Sequence, residues 1–581
     1  MRHAPSIIAL PMTVGLALLL SACGGGGSDG GGSGPLTAAA NASLTDAYSS
    51  QVVQLSGAES RSPGSSIQTY SWTVLSGPAV RIANANSVAA SFVVPLQSQI
   101  DTLQVRLTVT NDRQEQASAE VSMILRPAPV LLDATVANGA SFSTDEGATA
   151  LAFASAKLNG ASVPVNSVGW NSTLQGVLVP PGAGGTVPVA LSSGTHQITV
   201  TADCGPLGTF TRDFTLPVLP THLALSVPES MPMAGAIKII PVVMVSYIPT
   251  ADGINIDLTR VDPLHGRPWR SNSVADVLTY IRTMAIRQKF MLEEGSRFHG
   301  YKDAAAPPYI GYQLIAHRIY YESFPLAGVS PYNPAQRIVD VAAVVNRVDG
   351  EHYVNDAGVR EFWVWSYIHP KEIIWESNMS SPFGPDISNS DRNPQDLPYF
   401  DHTYLLYGFN YFRSQAETVH NHGHQIEQML MDFDARDART ANLFWGNFAG
   451  MPGGVYVTGH CGNIHFPLNA TQNYDYENST NIVESDCEDW RPDGTGQKKM
   501  VSLSTWAGIP YPWPTMGDAY PQEMSQKDES QWYVYWMQNL PGYGNSVTLQ
   551  GIPLINWWDV VHDWDALHQQ RKTLLTGVVI P

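Results

Sequence analysis

The sequence predicts a multidomain protein in which two all-β sandwiches are followed by a large α/β domain with a loop-rich, aromatic C-terminal part. Three observations carry this reading. At 581 residues the chain is long enough for several domains. From about residue 36 to 220 it alternates apolar and polar residues in short runs bounded by turns, the period of half-buried strands. From about residue 221 the period changes, and a nearly continuous apolar run gives way to long stretches with helical spacing, as where buried strands alternate with helices.

Composition narrows the function. Hydrophobic residues make up 44% and charged ones 14%, an ordinary globular balance. The formal net charge is -19, from 32 Lys and Arg against 51 Asp and Glu. A surface of that sign excludes nucleic acid as the main partner, because phosphate binding needs a basic face.

Residues 1–23 carry Arg2 and His3, an apolar run over 7–20, and then Leu20-Ser21-Ala22-Cys23. The run is short for a membrane span and reads as a secretory segment. Its end resembles a bacterial lipoprotein signal peptide, which implies cleavage before a lipid-modified Cys23 and a membrane partner through that lipid. Gly24 after the cysteine resembles the outer-membrane sorting pattern of Gram-negative lipoproteins. Residues 24–35 are a Gly/Ser tether that cannot bury a core.

Residues 36–128 form the first predicted sandwich, with strands around Val52-Val53-Gln54-Leu55, Thr69-Tyr70-Ser71-Trp72-Thr73-Val74, Ala90-Ser91-Phe92-Val93-Val94 and Val105-Arg106-Leu107-Thr108-Val109-Thr110. Leu55-Ser56-Gly57, Tyr70-Ser71-Trp72 and Leu107-Thr108-Val109-Thr110-Asn111-Asp112 resemble a PKD-type domain, with Arg113 in place of the family's usual Gly. Residues 129–220 form the second. Its Gly194-Thr195-His196-Gln197-Ile198-Thr199-Val200-Thr201-Ala202-Asp203 resembles a strand of a bacterial Ig-like domain, with Ile198 and Val200 on the core face and His196 read as a surface histidine. Neither module shows a catalytic constellation, so both are read as spacers or weak binders.

Besides Cys23 the chain has Cys204, Cys461 and Cys487. Export favours a disulfide between Cys461 and Cys487, with Cys204 left over; three buried free thiols are the alternative.

In residues 221–581, strands are expected at 237–245, 312–320, 361–367 and 404–409, and helices at 273–294, 335–345 and 414–433. The last helix carries the sharpest chemistry. At about 100° per residue, Glu417, His420, His424 and Glu427 share an arc of about 80°, opposite Val419, Ile426, Met429, Leu430 and Phe433, with His422 on the apolar side. Two imidazoles four residues apart can grip one metal ion, and a carboxylate one turn away can take a proton from bound water or orient an imidazole. A third ligand is available from Gly459-His460-Cys461-Gly462-Asn463-Ile464-His465, through His465 or His460. The metallopeptidase string His-Glu-x-x-His is absent, since Asn421 follows His420; His424-Gln425-Ile426-Glu427 carries only the short His-x-x-Glu string. The competing reading is a solvated helix face with Glu/His pairs.

Glu376 follows a predicted strand and is a candidate half of a carboxylate pair for glycoside hydrolysis, with Glu417 or Asp401 as the other half. Asp475, Asp486, Glu488 and Asp489, with Asn469, Asn473 and Asn478, offer oxygen ligands that suit calcium, without EF-hand spacing. Trp490, Trp506, Trp513, Trp532, Trp536, Trp557, Trp558 and Trp564 crowd the C-terminal fifth with Tyr511, Tyr520, Tyr533, Tyr535 and Tyr543, expected mainly as core, with two or three lining a cleft.

Trp375-Glu376-Ser377-Asn378-Met379, Gly408-Phe409-Asn410-Tyr411, Gly423-His424-Gln425-Ile426-Glu427, Gly462-Asn463-Ile464-His465-Phe466-Pro467 and Asn473-Tyr474-Asp475-Tyr476 resemble an uncharacterised group of secreted bacterial and fungal proteins, which lends no activity. The functional expectation is a surface-anchored hydrolase acting on an extracellular polymer, peptide or glycan. In the leading version His420, His424 and His465 hold zinc, Glu427 is the general base and Glu417 its supporting carboxylate. The alternatives are a metal-free glycosidase using Glu376 and Glu417, and a non-enzymatic adhesin or glycan-binding lipoprotein.

Overall fold

The computed structural model describes residues 34–49, 51–128, 130–136, 149–158, 160–261, 267–512 and 529–580. The expected signal segment, nearly all of the tether, Trp513 and Tyr520 lie outside the described residues. Buried hydrophobic residues fall into three clusters: one over residues 47–125, one over 130–218 and one over 240–575.

The first cluster lies between a three-stranded sheet (Asn41–Ala42, Val52–Ser56, Ala89–Val93) and a four-stranded one (Asp46–Tyr48, Gln116–Arg126, Asp101–Asn111, Ile67–Ser76). Leu103, Val105, Leu107 and Val109 alternate inward along one strand and are fully buried, as period two requires. The hairpin after them closes without a glycine. Asn111 Oδ1 accepts from the backbone N–H of Arg113 at 3.0 Å and Glu115 at 2.9 Å, and Gln114 takes the left-handed position at φ 63°.

The second cluster also lies between two sheets, one ordered Ala161–Val163, Thr149–Leu158, Thr186–Val189 with Val130–Val136 on Thr149–Leu158, the other Gly176–Gly182, Ser167–Ser172, Gly194–Asp203, Thr209–Val218. Ile198 and Val200 are fully buried, and so is His196, which corrects the surface reading. It shares their parity on the strand, and its polar atoms are met inside by Ser172 Oγ at 2.6 Å and the Ser192 carbonyl at 2.8 Å. Cys204 is a buried free thiol whose pKa burial pushes up.

The third part is built on a five-stranded sheet. Its strands are β1 (Lys238–Tyr247), β2 (Ile310–Tyr320), β3 (Glu361–Ser366), β4 (Ser377–Ser380) and β5 (Tyr404–Asn410), ordered β2-β1-β3-β5-β4. The pairs β1·β2, β1·β3 and β3·β5 are parallel, and β4·β5 is antiparallel. β3 is buried along its whole length, which explains why its sequence, Glu361-Phe362-Trp363-Val364-Trp365-Ser366, lacks alternation. Helices α1 (Val274–Gly295), α2 (Gln415–Ala435) and α3 (Ser530–Asn539) accompany the sheet. Ser273 caps α1 by accepting from Asp276 N–H at 3.2 Å.

The helix expected at 335–345 is corrected. Arg337–Val339 is a strand pairing in parallel with Glu372–Ile373, and the helix is confined to Val341–Arg347, capped by Asp340. Among the described residues no helix is long and apolar enough to cross a membrane.

Candidate metal centre

Helix α2 starts at Ser414, whose hydroxyl accepts from Ala416 N–H at 3.3 Å, and leaves β5 through Asn410. Val419, Ile426, Met429, Leu430 and Phe433 lie in the core, and His422 is buried with them, 3.1 Å from Glu361. The opposite arc is not solvated. Residues 461–467 cover it, so that Glu427 is buried and Glu417, His420 and His424 are half-buried. The solvated-face reading fails because this second layer packs on the helix.

Two glycines let that layer approach. A Cβ on Gly423 would lie 2.1 Å from Ile464 Cδ1, so only glycine admits Ile464 against the helix. Gly462 has φ +77°, and a Cβ there would meet the Phe466 carbonyl at 2.3 Å. The indole N–H groups of Trp532 and Trp536, on α3, donate to the Asn463 and Gly462 carbonyls at 3.1 Å each, and the Cys461–Cys487 disulfide ties the start of the segment, with Cα atoms 4.8 Å apart.

The outcome is a convergence of three imidazoles. His424 Nε2 lies 3.0 Å from His420 Nε2 and 3.0 Å from His465 Nε2, and one ligand atom from each residue falls within 4.8 Å of the others. Tyr476 OH donates to the Ile464 carbonyl at 2.8 Å, and Tyr533 OH donates to Tyr476 OH at 3.2 Å. With its proton so placed, Tyr533 OH accepts from His420 Nδ1–H at 2.9 Å. His424 Nδ1 faces Glu427 Oε2 at 2.9 Å and therefore carries a proton too. His420 Nε2 then presents a lone pair to His424 Nε2, a contact that either a proton on His424 or a cation between the rings satisfies.

Electrostatics divide the three imidazoles. Burial and the neighbouring imidazoles hold His420 down at about 2 and His465 at about 4. For His424 burial presses the same way, yet the hydrogen bond and charge of Glu427 outweigh it and raise its pKa. Neutral His420 and His465 are the forms that coordinate.

Beside the imidazoles lies a cavity of about 580 Å³ lined by Glu376, Arg413, Ser414, Glu417, His420, Tyr474, Tyr476, Glu529 and Tyr533. Glu417 accepts from Asn410 Nδ2 at 3.0 Å and pairs with Arg413; burial outweighs that pairing and raises its pKa. Glu376 accepts from Asn389 Nδ2 at 2.6 Å.

His420, His424, His465, Glu427, Glu417 and Glu376 thus come together, but in rearranged positions. Glu427 Oε2 is taken by His424, and its Oε1 accepts from Ile464 N–H at 2.8 Å. It stands behind the imidazole, where it orients the ring; it does not line the cavity, as a base acting on substrate must, whereas Glu417 and Glu376 do. His460 goes elsewhere, to the Asn447 carbonyl at 2.7 Å, and Asp401 does not line the cavity. The oxygen-rich loops are internally engaged: Asp475 accepts from Thr471 and Asn478, Glu488 pairs with Lys302 and Lys499, and Asp489 with Arg491. Among the described residues the three histidines are the only group of three or more His, Cys, Asp or Glu whose ligand atoms meet in this way. Reading the sequence missed Arg413 and Glu529, which carry no motif, and the role of Tyr533, which sits among a run of core aromatics. Trp506, Trp532, Trp536, Trp557 and Trp558 are indeed core.

Residues 39–125 match a family model of the PKD domain. This PKD-like domain contributes nothing to the cavity, whose lining begins at Glu376. Among solved structures, the chain is similar to the PKD domain from KIAA 1837 protein, at 27% identity over 18% of this chain and 92% of that one, with a TM-score of 0.13. It is also similar to the fibronectin(III)-like modules of Clostridium thermocellum CbhA, at 8% identity over 32% and 94% with a TM-score of 0.14. Murine CEACAM1b is similar at 9% identity over 32% and 99%, with a TM-score of 0.17. No curated protein matches the chain.

Proposed function

We propose that residues 221–581 form an α/β catalytic domain that is a zinc-dependent hydrolase of an extracellular polymer. In this reading the two β-sandwiches are spacers, and lipid on Cys23 anchors the protein at the outer membrane. The carrying observation is the convergence of three imidazoles, with His424 Nε2 3.0 Å from both His420 Nε2 and His465 Nε2 and one ligand atom of each within 4.8 Å of the others. Two nitrogens on one zinc, each about 2.0–2.1 Å from it, are separated by about 3.3 Å, and three neutral imidazoles leave a fourth position for water or substrate. When bound, such an ion lowers the pKa of its water and polarises the scissile group.

The chain's own residues have separate tasks. Glu427 and Tyr533 hold the His424 and His420 rings by Nδ1. Glu376 is the general base, and Glu417, whose raised pKa suits a proton donor, protonates the leaving group. Elemental analysis of the purified full chain tests this. A single zinc per chain, lost in His424→Ala and kept in Glu417→Gln with turnover abolished, is the expected outcome; a chain without transition metal ends the reading.

A second reading is supported by one observation: Glu376 and Glu417 line the same cavity. A metal-free glycosidase needs such a pair. Glycan hydrolysis undiminished by chelator identifies it.

A further inference from the structure

A second cavity, of about 400 Å³, lies against the segment Trp375-Glu376-Ser377-Asn378. Glu376 lines the cavity at the imidazoles, whereas Trp375 and Asn378 line this one. The loop over residues 386–396 serves both. Its Asn389 donates from Nδ2 to Glu376 Oε2 at 2.6 Å, its Arg392 donates to Gln428 on α2 at 2.8 Å, and its Asp391 and Asp396 stand in the wall of the second cavity. A polymer held at the imidazoles therefore has this cavity as a neighbour.

The two walls differ in kind. Val329, Ile338, Val341 and Trp375 make one apolar, Asn378, Asp391 and Asp396 make the other rich in oxygen, and no Lys, Arg or His side chain is in the lining. Arg392, on the same loop, is engaged by Gln428 and the Ser388 carbonyl. Asn378 is fully buried: its Nδ2 donates to Asp396 Oδ2 at 2.5 Å, while its carbonyl oxygen, like Asp391 Oδ1, has no donor. Buried acceptors left in this state are costly, and a ligand that brings N–H groups removes the cost. Burial first, and then the charges of Asp386 and Asp391, push the Asp396 carboxyl up to about 7 against the hydrogen bond from Asn378. A proton on Asp396 relieves that crowding in the free protein, and an arriving cation can replace it; with Asp396 protonated, Asp391 and the Asn378 carbonyl still lack a donor. A bare metal ion leaves the apolar wall unused, and the ammonium of an amino sugar sits directly on its ring. A Lys or Arg side chain brings an aliphatic stem for the first wall and charged N–H donors for the second.

We propose that this cavity receives one Lys or Arg side chain, so that the polymer is a polypeptide read by its basic residues. Cleavage of that chain rests on the metal-hydrolase reading above; the pocket does not. The experiment is calorimetric titration of the full chain with one unstructured, end-blocked peptide in four versions, carrying Lys, Arg, norleucine or Glu at a single position, and separately with chitosan oligomers and calcium chloride. The Lys or the Arg version should bind about tenfold or more tighter than the norleucine version, and Asp391→Asn should cut this ratio to within about twofold. Asp396→Asn should lower it in the same direction. Because the ratio is taken on one protein sample, partial unfolding of a variant does not imitate its loss. Equal binding of basic and norleucine peptides, a ratio that survives both variants, or binding of calcium or chitosan that depends on Asp391 in place of the peptide overturns the proposal. Metal content, measured on the same samples, separates the two claims. A basic preference in a chain without zinc retains the pocket and removes the metal hydrolase, whereas zinc without the preference removes the pocket alone.

Discussion

Glu427 holds His424 by its Nδ1 at 2.9 Å, and in doing so aims His424 Nε2 at both other imidazoles. The same carboxylate accepts from the Ile464 N–H, so one side chain fixes an imidazole on the helix and the loop that delivers His465.

Glu427→Gln should therefore weaken zinc binding by about 10- to 100-fold, the usual loss when a ligand imidazole loses its carboxylate partner. Chelator competition measures this. Retention of full affinity with loss of turnover would instead make Glu427 the base, as the sequence alone suggests.

Gly423→Ala sets two effects against each other. Alanine favours a helix interior over glycine by about 1 kcal/mol, but the new methyl would meet Ile464 at 2.1 Å. Overpacking wins, with an expected net loss of about 1–3 kcal/mol in denaturant unfolding and displacement of His465. A higher Tm in this variant would show that the loop does not press on the helix.

The glycine also shows what the sequence makes legible. Period 3.6 is enough to put Glu417, His420, His424 and Glu427 on one arc, because angular position on a helix depends only on spacing. It cannot tell an orienting carboxylate from a base, since that depends on which loop arrives on the same face. Tyr533, more than a hundred residues from His420, is invisible for the same reason. His196 was legible in principle: the parity that puts Ile198 and Val200 inward puts it inward too. The strand Arg337–Val339 was not, because it is defined by pairing with Glu372–Ile373 rather than by its own pattern.

Tyr474→Asn should leave the chain as stable or raise its stability by up to about 1 kcal/mol, because asparagine tolerates the left-handed region at φ 59° better than a bulky ring does. A large loss of stability would mean that the ring is a structural element of the loop.

Asp434, on α2, gives a pH test. It accepts from the Leu443 and Phe444 N–H groups at 2.9 and 3.1 Å, yet burial pushes its pKa up to about 6, from 3.8 for a free Asp. A raised folded pKa means that the folded state binds the proton more tightly. Its stabilising contribution is thus complete below pH 3.8 and lost as pH rises through about 6, a difference of at most about 3 kcal/mol. Asp434→Asn should remove this component, seen as a flatter dependence of unfolding free energy on pH between 4 and 6. An unchanged slope would assign the titration to another group.

The Cys461–Cys487 bond closes next to the turn that carries His465, whereas His420 and His424 need only their own helix. Disulfides form in oxidising compartments and are rare in the cytosol. While the chain is reduced, the third imidazole is held by packing and by the hydrogen bonds of Gly462, Asn463 and Ile464; once oxidised, the start of its loop is also tied to Cys487. If the histidines hold a metal as proposed, closing this bond and completing the ligand set are then coupled, so the redox state of the chain sets when the site is ready to take its ion.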